Sequence, residues 1–184
     1  PRVPDRIRGI IDRTRARGAA VDTLAPHLLT AWYIANDPVA ASALAAEFSS
    51  TIHTPVLARQ AHAWEQCGLA ALATGDLERA RQFLEGALER FEAVGQRFCS
   101  VHGCESIAWL LAARGETVAS RGLLAATEGL RVRHHRYRSG FEEPAVIALV
   151  ERLGECPAPD HDALLDATIE TARALVAGTE PTAG

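Results

Sequence analysis

Apolar residues recur along almost the whole chain at the three- and four-residue spacing that places them on one face of a helix. Runs of β-branched residues, which strands favour, are absent. The pattern therefore predicts an all-α protein. Capping side chains or prolines mark several helix starts, as at Asp37-Pro38, Thr54-Pro55 and Gly75-Asp76. We predict nine helices with short connections, near residues 5–17, 20–35, 38–50, 55–73, 77–94, 97–113, 117–131, 142–153 and 160–177.

The sequence also contains an internal repeat. A shift of 40 residues places Gly75 over Gly115 and aligns further pairs, namely His62 with His102, Glu65 with Glu105, Ala73 with Ala113, Asp76 with Glu116, Arg81 with Arg121 and Leu84 with Leu124. A shift of 39 residues places Asn36-Asp37 over Gly75-Asp76. These alignments predict a single α-helical repeat domain over 1–184, with helix-turn-helix units at about 20–53, 55–94 and 97–131 and capping helices at 142–153 and 160–177.

Large and small residues follow a regular order in the middle unit. Small residues let two helices approach closely, larger residues fill the remaining space, and Gly75 permits the left-handed turn that ends the first helix. The spacing matches the tetratricopeptide pattern at Trp64, Cys67, Gly68, Ala71, Gly75, Ala80, Leu84 and Ala87. We therefore predict a tetratricopeptide-like right-handed superhelix of antiparallel helical hairpins. The alternative is a generic helical bundle with accidental periodicity.

The later unit adds a second characteristic stretch. It reads Ala-Trp-Leu-Leu-Ala-Ala-Arg-Gly-Glu over 108–116, and a Leu/Ala helix at 123–126, an arginine-rich stretch and Leu-Gly-Glu at 153–155 follow. Together with the middle unit, it resembles the tetratricopeptide-like C-terminal region of large bacterial LuxR-type ATP-dependent activators and signal-transduction ATPases, which are abundant in actinobacteria. The resemblance covers about 55–177. It implies a regulatory, protein-binding role in transcription or signalling.

The sequence departs from such regulators in two ways. A phosphate-binding loop needs a lysine, and the chain contains none. No DNA-binding helix-turn-helix is recognisable after Leu153. If the resemblance holds, ATP hydrolysis and DNA binding belong to other parts of the parent protein. Because the chain begins at Pro1 and contains no methionine, we expect it to be a piece of a longer protein.

Composition and charge narrow the classes of protein further. Hydrophobic residues make up 48% and charged residues 23% of the 184, as in ordinary globular domains. The net charge of −4 is spread evenly, which argues against a nucleic-acid or membrane-surface partner. No apolar run approaches the roughly 20 residues of a membrane span, and no signal peptide is recognisable, so we expect a cytoplasmic protein. The 35 alanines are typical of high-GC coding, and they also suit closely packed helical hairpins.

Two His-x-x-Glu pairs occur at the same register of successive units. The i, i+3 spacing places each pair on one face of a first helix. In tetratricopeptide arrays these positions line the concave groove, so we predict a partner-binding groove bordered by His62, Glu65, His102, Glu105 and Trp109. Cys99, one turn before His102, could join this groove. If the groove exists, replacing His102 and Glu105 by alanine should leave thermal stability nearly unchanged.

Other interpretations of these pairs stay open. They could form a solvated or locally paired helix face, a small-molecule sensor, or a metal-assisted enzyme that uses the His, Glu and Cys99 side chains. The sequence supports a metal site poorly, because no Cys-x-x-Cys or His-x-x-x-His motif anchors the set. We therefore predict neither a metal nor a cofactor.

Basic residues are dense in one run only. Arginine donates bidentate hydrogen bonds to phosphates and carboxylates, so the run is a candidate docking site for an anion or an acidic partner, through Arg131, Arg133, Arg136 and Arg138. Alternatively, these cations complement the dipole at a helix carboxyl end, partly neutralised by Glu142 and Glu143, or contact nucleic acid. A second basic segment, at 6–17, is amphipathic, and we expect its isoleucines to pack on the first repeat.

Catalysis has little support in the sequence. Ser49-Ser50-Thr51 and Ser139-Gly140 lack the glycine pattern of a nucleophile elbow, and Cys67 and Cys104 occupy predicted core positions. We expect the four cysteines, Cys67, Cys99, Cys104 and Cys156, to be buried free thiols. The chain is therefore predicted to be a non-catalytic module that binds a protein or peptide, with other domains of the same parent protein among the candidates. We expect no membrane or nucleic-acid partner for this segment.

Overall fold

The protein is all-α, as the sequence predicts. The computed structural model describes residues 9–18 except 11 and 15, residues 57–136 except 96, and residues 143–178. Every regular element within these ranges is a helix.

The chain forms two compact units, Pro1–Val94 and Gly95–Gly184, each with its own packing. The described positions within 9–16 are helical, in agreement with the helix predicted near 5–17. The predicted helices near 20–35 and 38–50, and therefore the repeat unit at 20–53, lie outside the described residues.

The first unit contains a helical hairpin. Helices α1 (Leu57–Ala73) and α2 (Leu77–Ala93) are joined by three residues, and they therefore run antiparallel and pack along their length. The side chain of Asp76 caps α2 by accepting a 3.1 Å hydrogen bond from the Arg79 amide. Both helices agree with the sequence-based boundaries to within two residues.

Glycines allow α1 and α2 to approach closely. A Cβ atom on Gly68 would lie 2.6 Å from Cδ2 of Leu84, and one on Gly86 would lie 2.6 Å from Cε3 of Trp64. The Arg90 guanidinium lies 3.8 Å from the centroid of the Trp64 ring and donates a 2.8 Å hydrogen bond to the Gly86 carbonyl. The indole therefore packs against α2 through Gly86 and Arg90.

The second unit begins with a 3₁₀ turn, Arg97–Cys99, and continues as a second hairpin. Its helices are α3 (Ser100–Ala113) and α4 (Thr117–Arg133). Helix α5 (Glu143–Leu153) then packs on α4, and helix α6 (Leu165–Ala177) packs on both α3 and α4.

The last helix begins at Leu165 rather than near 160, because the preceding segment lies across α4. The Asp160 amide donates a 3.0 Å hydrogen bond to the Ala125 carbonyl, and Arg133 Nη1 donates one of 2.8 Å to the Ala163 carbonyl. The Ala163 carbonyl, which in a helix starting near 160 would accept from the amide four residues later, is thereby bonded to Arg133 instead.

The 40-residue shift is reproduced in the turns of the two hairpins. Gly75 (φ 79°) and Gly115 (φ 84°) both adopt the left-handed conformation. In each turn the glycine amide donates to the carbonyl three residues earlier, and the next amide donates to the carbonyl five residues earlier, at 2.9–3.2 Å. This is the Schellman arrangement, in which glycine is favoured at the left-handed position. The two hairpins therefore share one turn geometry.

Gly129 on α4 provides a test of how the 154–164 segment is placed. A Cβ atom there would overlap the backbone carbonyl of Asp160, so backbone rather than a flexible side chain must move. We predict that Gly129→Ala lowers the free energy of unfolding by about 1–3 kcal/mol, measured by urea denaturation.

Gly122 is the matched control on the same helix. It is exposed, and no described atom lies within 4 Å of the position that a Cβ atom would occupy, so Gly122→Ala should stabilise the protein by about 0.5–1 kcal/mol through helix propensity. Equal effects of the two substitutions would contradict this placement of the segment.

Candidate functional site

The glutamates of both His-x-x-Glu pairs lie in the interior of their units. Glu65 on α1 is 4% exposed and Glu105 on α3 is 6% exposed. A carboxylate taken out of water needs hydrogen bonds or a counter-charge to offset the lost hydration. The surroundings of the two glutamates therefore decide what each pair can do.

Glu105 is paired with Arg131, which is only 3% exposed. Nε of Arg131 donates to Oε1 of Glu105 at 2.7 Å, and Nη2 donates to Oε2 at 2.6 Å. The same Nη2 lies 3.2 Å from Nδ1 of His102. Since a guanidinium only donates hydrogen bonds, Nδ1 of His102 acts as the acceptor and carries no proton in this contact. The cluster joins α3 to α4 through a buried bidentate ion pair.

The corresponding cluster of the first unit is built differently. Nδ1 of His62 lies 3.5 Å from Oε2 of Glu65, and the His62 ring packs edge-on against buried Phe91 with 4.8 Å between ring centroids. Phe91 and Arg131 are 40 residues apart, so they occupy equivalent positions on α2 and α4. At this register the second helix presents an aromatic ring in one unit and a cation in the other.

The predicted groove residues therefore fall into two sets, one in each unit. His62 and Glu65 belong to the first set; His102, Glu105 and half-buried Trp109 belong to the second. Within the second unit, the geometry brings His102 and Glu105 together through a residue that the groove hypothesis did not include.

That residue, Arg131, is in the sequence a candidate for docking an anion or an acidic partner. The internal repeat indicates an interior position for Arg131, because the 40-residue shift aligns Arg131 with an aromatic residue, Phe91. An arginine at a core register requires a buried counter-charge, and Glu105 is the acidic residue of α3, the other helix of the same hairpin.

The remaining arginines of the basic run differ in their contacts. Arg133 is exposed and donates to the Ala163 carbonyl. The Arg136 guanidinium lies 5.5 Å from the centroid of the Phe98 ring. Arg138 lies outside the described residues.

The four cysteines are thiols in two different environments. Cys67 and Cys104 are buried, as expected, but the expectation of burial is wrong for Cys99 and Cys156, which are half-buried. Burial raises the pKa of the Cys67 thiol to about 12, and the Arg79 charge lowers it by a smaller amount. A thiol with that pKa is not a nucleophile at neutral pH.

A surface cavity of about 290 Å³ lies in the second unit between α4, α5 and the segment after α5. The sequence does not predict this cavity, because the walls of the cavity come from three stretches of chain that no motif connects. Most of its lining is apolar and includes Leu124, Val146, Ile147, Val150, Pro157 and Pro159. This cavity and the half-buried face around Trp109 are the candidate binding surfaces of the unit.

The buried cluster can be tested by removing one charge. Glu105→Gln keeps the shape of the side chain but leaves the Arg131 cation without its counter-charge in the interior. We therefore predict a loss of about 3–5 kcal/mol in the free energy of unfolding, measured by urea denaturation. This expectation is the reverse of the one that a solvent-facing groove gives for His102 and Glu105.

Two further variants serve as controls. Glu105→Gln combined with Arg131→Met should recover much of the loss, because the unpaired charge is gone. Glu170→Gln breaks the exposed 2.8 Å pair with Arg173 and should change stability by less than about 0.5 kcal/mol. A Glu105→Gln effect no larger than that of Glu170→Gln would show that the pair is not buried as described.

Thiol reactivity tests the cysteine environments. At pH 8 the native protein should react with Ellman's reagent at Cys99 and Cys156, and Cys67 and Cys104 should react only after unfolding. Rapid native labelling of Cys67, located by peptide mass mapping, would contradict the packing of α1.

The Cys67 pKa also fixes the sign of a pH effect. The thiol ionises near pH 9.0 in the unfolded chain and near 12 in the folded protein, so between these values the unfolded state holds fewer protons. The free energy of unfolding must therefore fall as pH rises, by up to about 1.4 kcal/mol per pH unit from this group. Cys67→Ala should show a shallower fall between about pH 9 and 10.5, and equal slopes would count against the raised pKa.

No protein-family model, no curated protein and no solved structure matches the chain. Among the described residues, no helix has the length and apolar character needed to cross a membrane. In the same ranges, no group of three or more His, Cys, Asp or Glu side chains is placed to hold a metal ion.

Proposed function

We propose that the chain is a non-catalytic, tetratricopeptide-like interaction module of a bacterial signalling or transcriptional regulator. The observation that carries the proposal is the shared turn geometry of the two hairpins at a shift of 40 residues. In tetratricopeptide proteins, successive hairpins stack because each hairpin alone leaves an apolar face uncovered.

The helix crossings give further support. In the first hairpin, Gly68 lies against Leu84 with no room for a Cβ atom. At the equivalent crossing of the second hairpin, the buried Ser120 hydroxyl donates a 2.7 Å hydrogen bond to the Ala108 carbonyl. Ala108 and Ser120 are the 40-residue counterparts of Gly68 and Ala80. Both hairpins therefore use small residues at the same two positions, as tetratricopeptide hairpins do.

A binding role fits the way in which the ionisable side chains are used. Glu105 and Arg131 are committed to each other in the interior, and the raised pKa of Cys67 keeps that thiol protonated. Groups that serve a transferring proton or a nucleophilic attack need access to a substrate. The second unit offers a partner apolar surface instead, including Ile147, which is 52% exposed.

The place of the module in a larger regulator rests on the sequence resemblance. The Ala-Trp-Leu-Leu-Ala-Ala-Arg-Gly-Glu stretch forms the end of α3 and the following Schellman turn, so it belongs to the repeat framework. We propose a cytoplasmic regulator of the LuxR-type ATP-dependent class as the parent. Its other domains are then the first partners to consider.

Site-specific photocrosslinking in the native host tests this function. A p-benzoylphenylalanine residue at Trp109 or Ile147 samples the two candidate binding surfaces, and the same residue at exposed Glu170 on α6 is the control. We predict a discrete protein adduct from at least one of the two surfaces and none from position 170. Mass spectrometry should identify a regulator polypeptide in the adduct. Absence of any discrete adduct from both surfaces would overturn the proposal.

A further inference from the structure

Helix α5 presents aliphatic side chains on two sides. Leu149 and Leu153 are buried, whereas Ile147 and Val150 are 52% and 36% exposed and line the surface cavity of the second unit. Exposed aliphatic side chains that converge on one cavity, rather than being scattered singly, are typical of binding surfaces. The cavity is therefore the strongest candidate for an unassigned site.

The walls of the cavity are held in place by contacts outside it. Arg121 Nη2 donates to the Leu153 carbonyl and so fastens the end of α5 to α4. The Asp160 amide, bonded to the Ala125 carbonyl, fastens the segment on the other side. Pro157 and Pro159 restrict the backbone of that segment. A preformed site of this kind loses little conformational entropy when it is occupied.

The volume of the cavity and the charge of its lining indicate what kind of ligand would fit. An engineered cavity of about 150 Å³ holds a benzene ring, so about 290 Å³ suits one large aromatic or two aliphatic side chains. The charged residues that line the cavity are both acidic, Glu128 on α4 and Glu151 on α5. Carboxylates beside an apolar cavity complement a cation carried next to the apolar group.

We propose that this cavity binds a peptide segment of a protein partner in which aliphatic side chains are flanked by arginine or lysine. The proposal rests on the proposed function and deepens it by naming the chemistry of the partner. The aliphatic side chains enter between Val146, Ile147 and Leu124. A flanking cation pairs with Glu151, and Glu128 adds negative charge to the wall formed by α4.

Fluorescence anisotropy with a defined probe tests the proposal on the full chain. The probe is a fluorescein-labelled octapeptide, Arg-Ala-Leu-Arg-Ala-Leu-Arg-Ala. One control peptide has serine in place of leucine, and another has citrulline, the uncharged isostere, in place of arginine. We expect the probe to bind with a Kd of about 10–300 μM, as a small interface allows, and both control peptides to bind at least about 5-fold more weakly.

Protein variants locate the binding. Ile147→Ser and Val150→Ser remove apolar contacts and should each weaken binding by about 3- to 10-fold. Glu128→Gln with Glu151→Gln should weaken it by a similar factor and reduce its salt dependence. Val118→Ser is the matched control, since Val118 is 82% exposed and does not line the cavity. Because Ile147 and Val118 are more than half exposed, Ile147→Ser and Val118→Ser should keep the melting temperature of the unsubstituted protein.

Several results would overturn the proposal. One is that the probe does not bind at 1 mM protein. Another is that the citrulline peptide binds as tightly as the probe, and a third is that the probe binds Ile147→Ser as tightly as the unsubstituted protein. A concentration-dependent dimer that Ile147→Ser converts to monomer would assign the surface to a second copy of the chain. If a photocrosslinked partner is found at Trp109 while the probe fails to bind, the interaction module stands and only this assignment of its partner fails.

Discussion

A guanidinium and a carboxylate meet inside the second unit, and the packing of α3 on α4 depends on that contact. Arg131 and Glu105 are 3% and 6% exposed and share two hydrogen bonds, and His102 accepts a third. Burying either charge alone would cost several kcal/mol, so any packing of α3 on α4 that separates the two charges is disfavoured. Arginine suits this position because its planar fork matches both carboxylate oxygens, and every basic residue of the chain other than histidine is an arginine.

Close approach of the helices is the second requirement. The left-handed Gly75 and Gly115 turn the chain within three residues, and small residues at the crossings bring the paired helices together. At the position where the second hairpin has Arg131, the first hairpin has Phe91. The same hairpin geometry therefore accommodates either an aromatic contact or an ion pair between its helices. The alanine enrichment of the chain is the compositional trace of this packing.

The sequence predicted the helices and hairpin turns well, because periodicity, capping residues and glycine act locally. It placed Glu105 on the same helix face as His102, but spacing alone does not say whether a face meets solvent or another helix. The basic run around Arg131 was interpreted as a surface feature for the same reason. The late start of α6 depends on the hydrogen bond of Asp160 to Ala125 on α4, and the cavity depends on how α4, α5 and the segment with Pro157 come together. Both arise only from tertiary packing.

The central claim is that Arg131 is an interior residue bonded to Glu105, and side-chain NMR tests it directly. In ¹⁵N-labelled protein the Arg131 Nε–H should give a resolved signal at neutral pH, exchange slowly with water and show NOE contacts to the Glu105 methylenes. Arg173, whose side chain is 39% exposed, provides the reference for faster exchange. An Arg131 Nε–H that exchanges as fast as that of Arg173 and shows no contact to Glu105 would contradict the account.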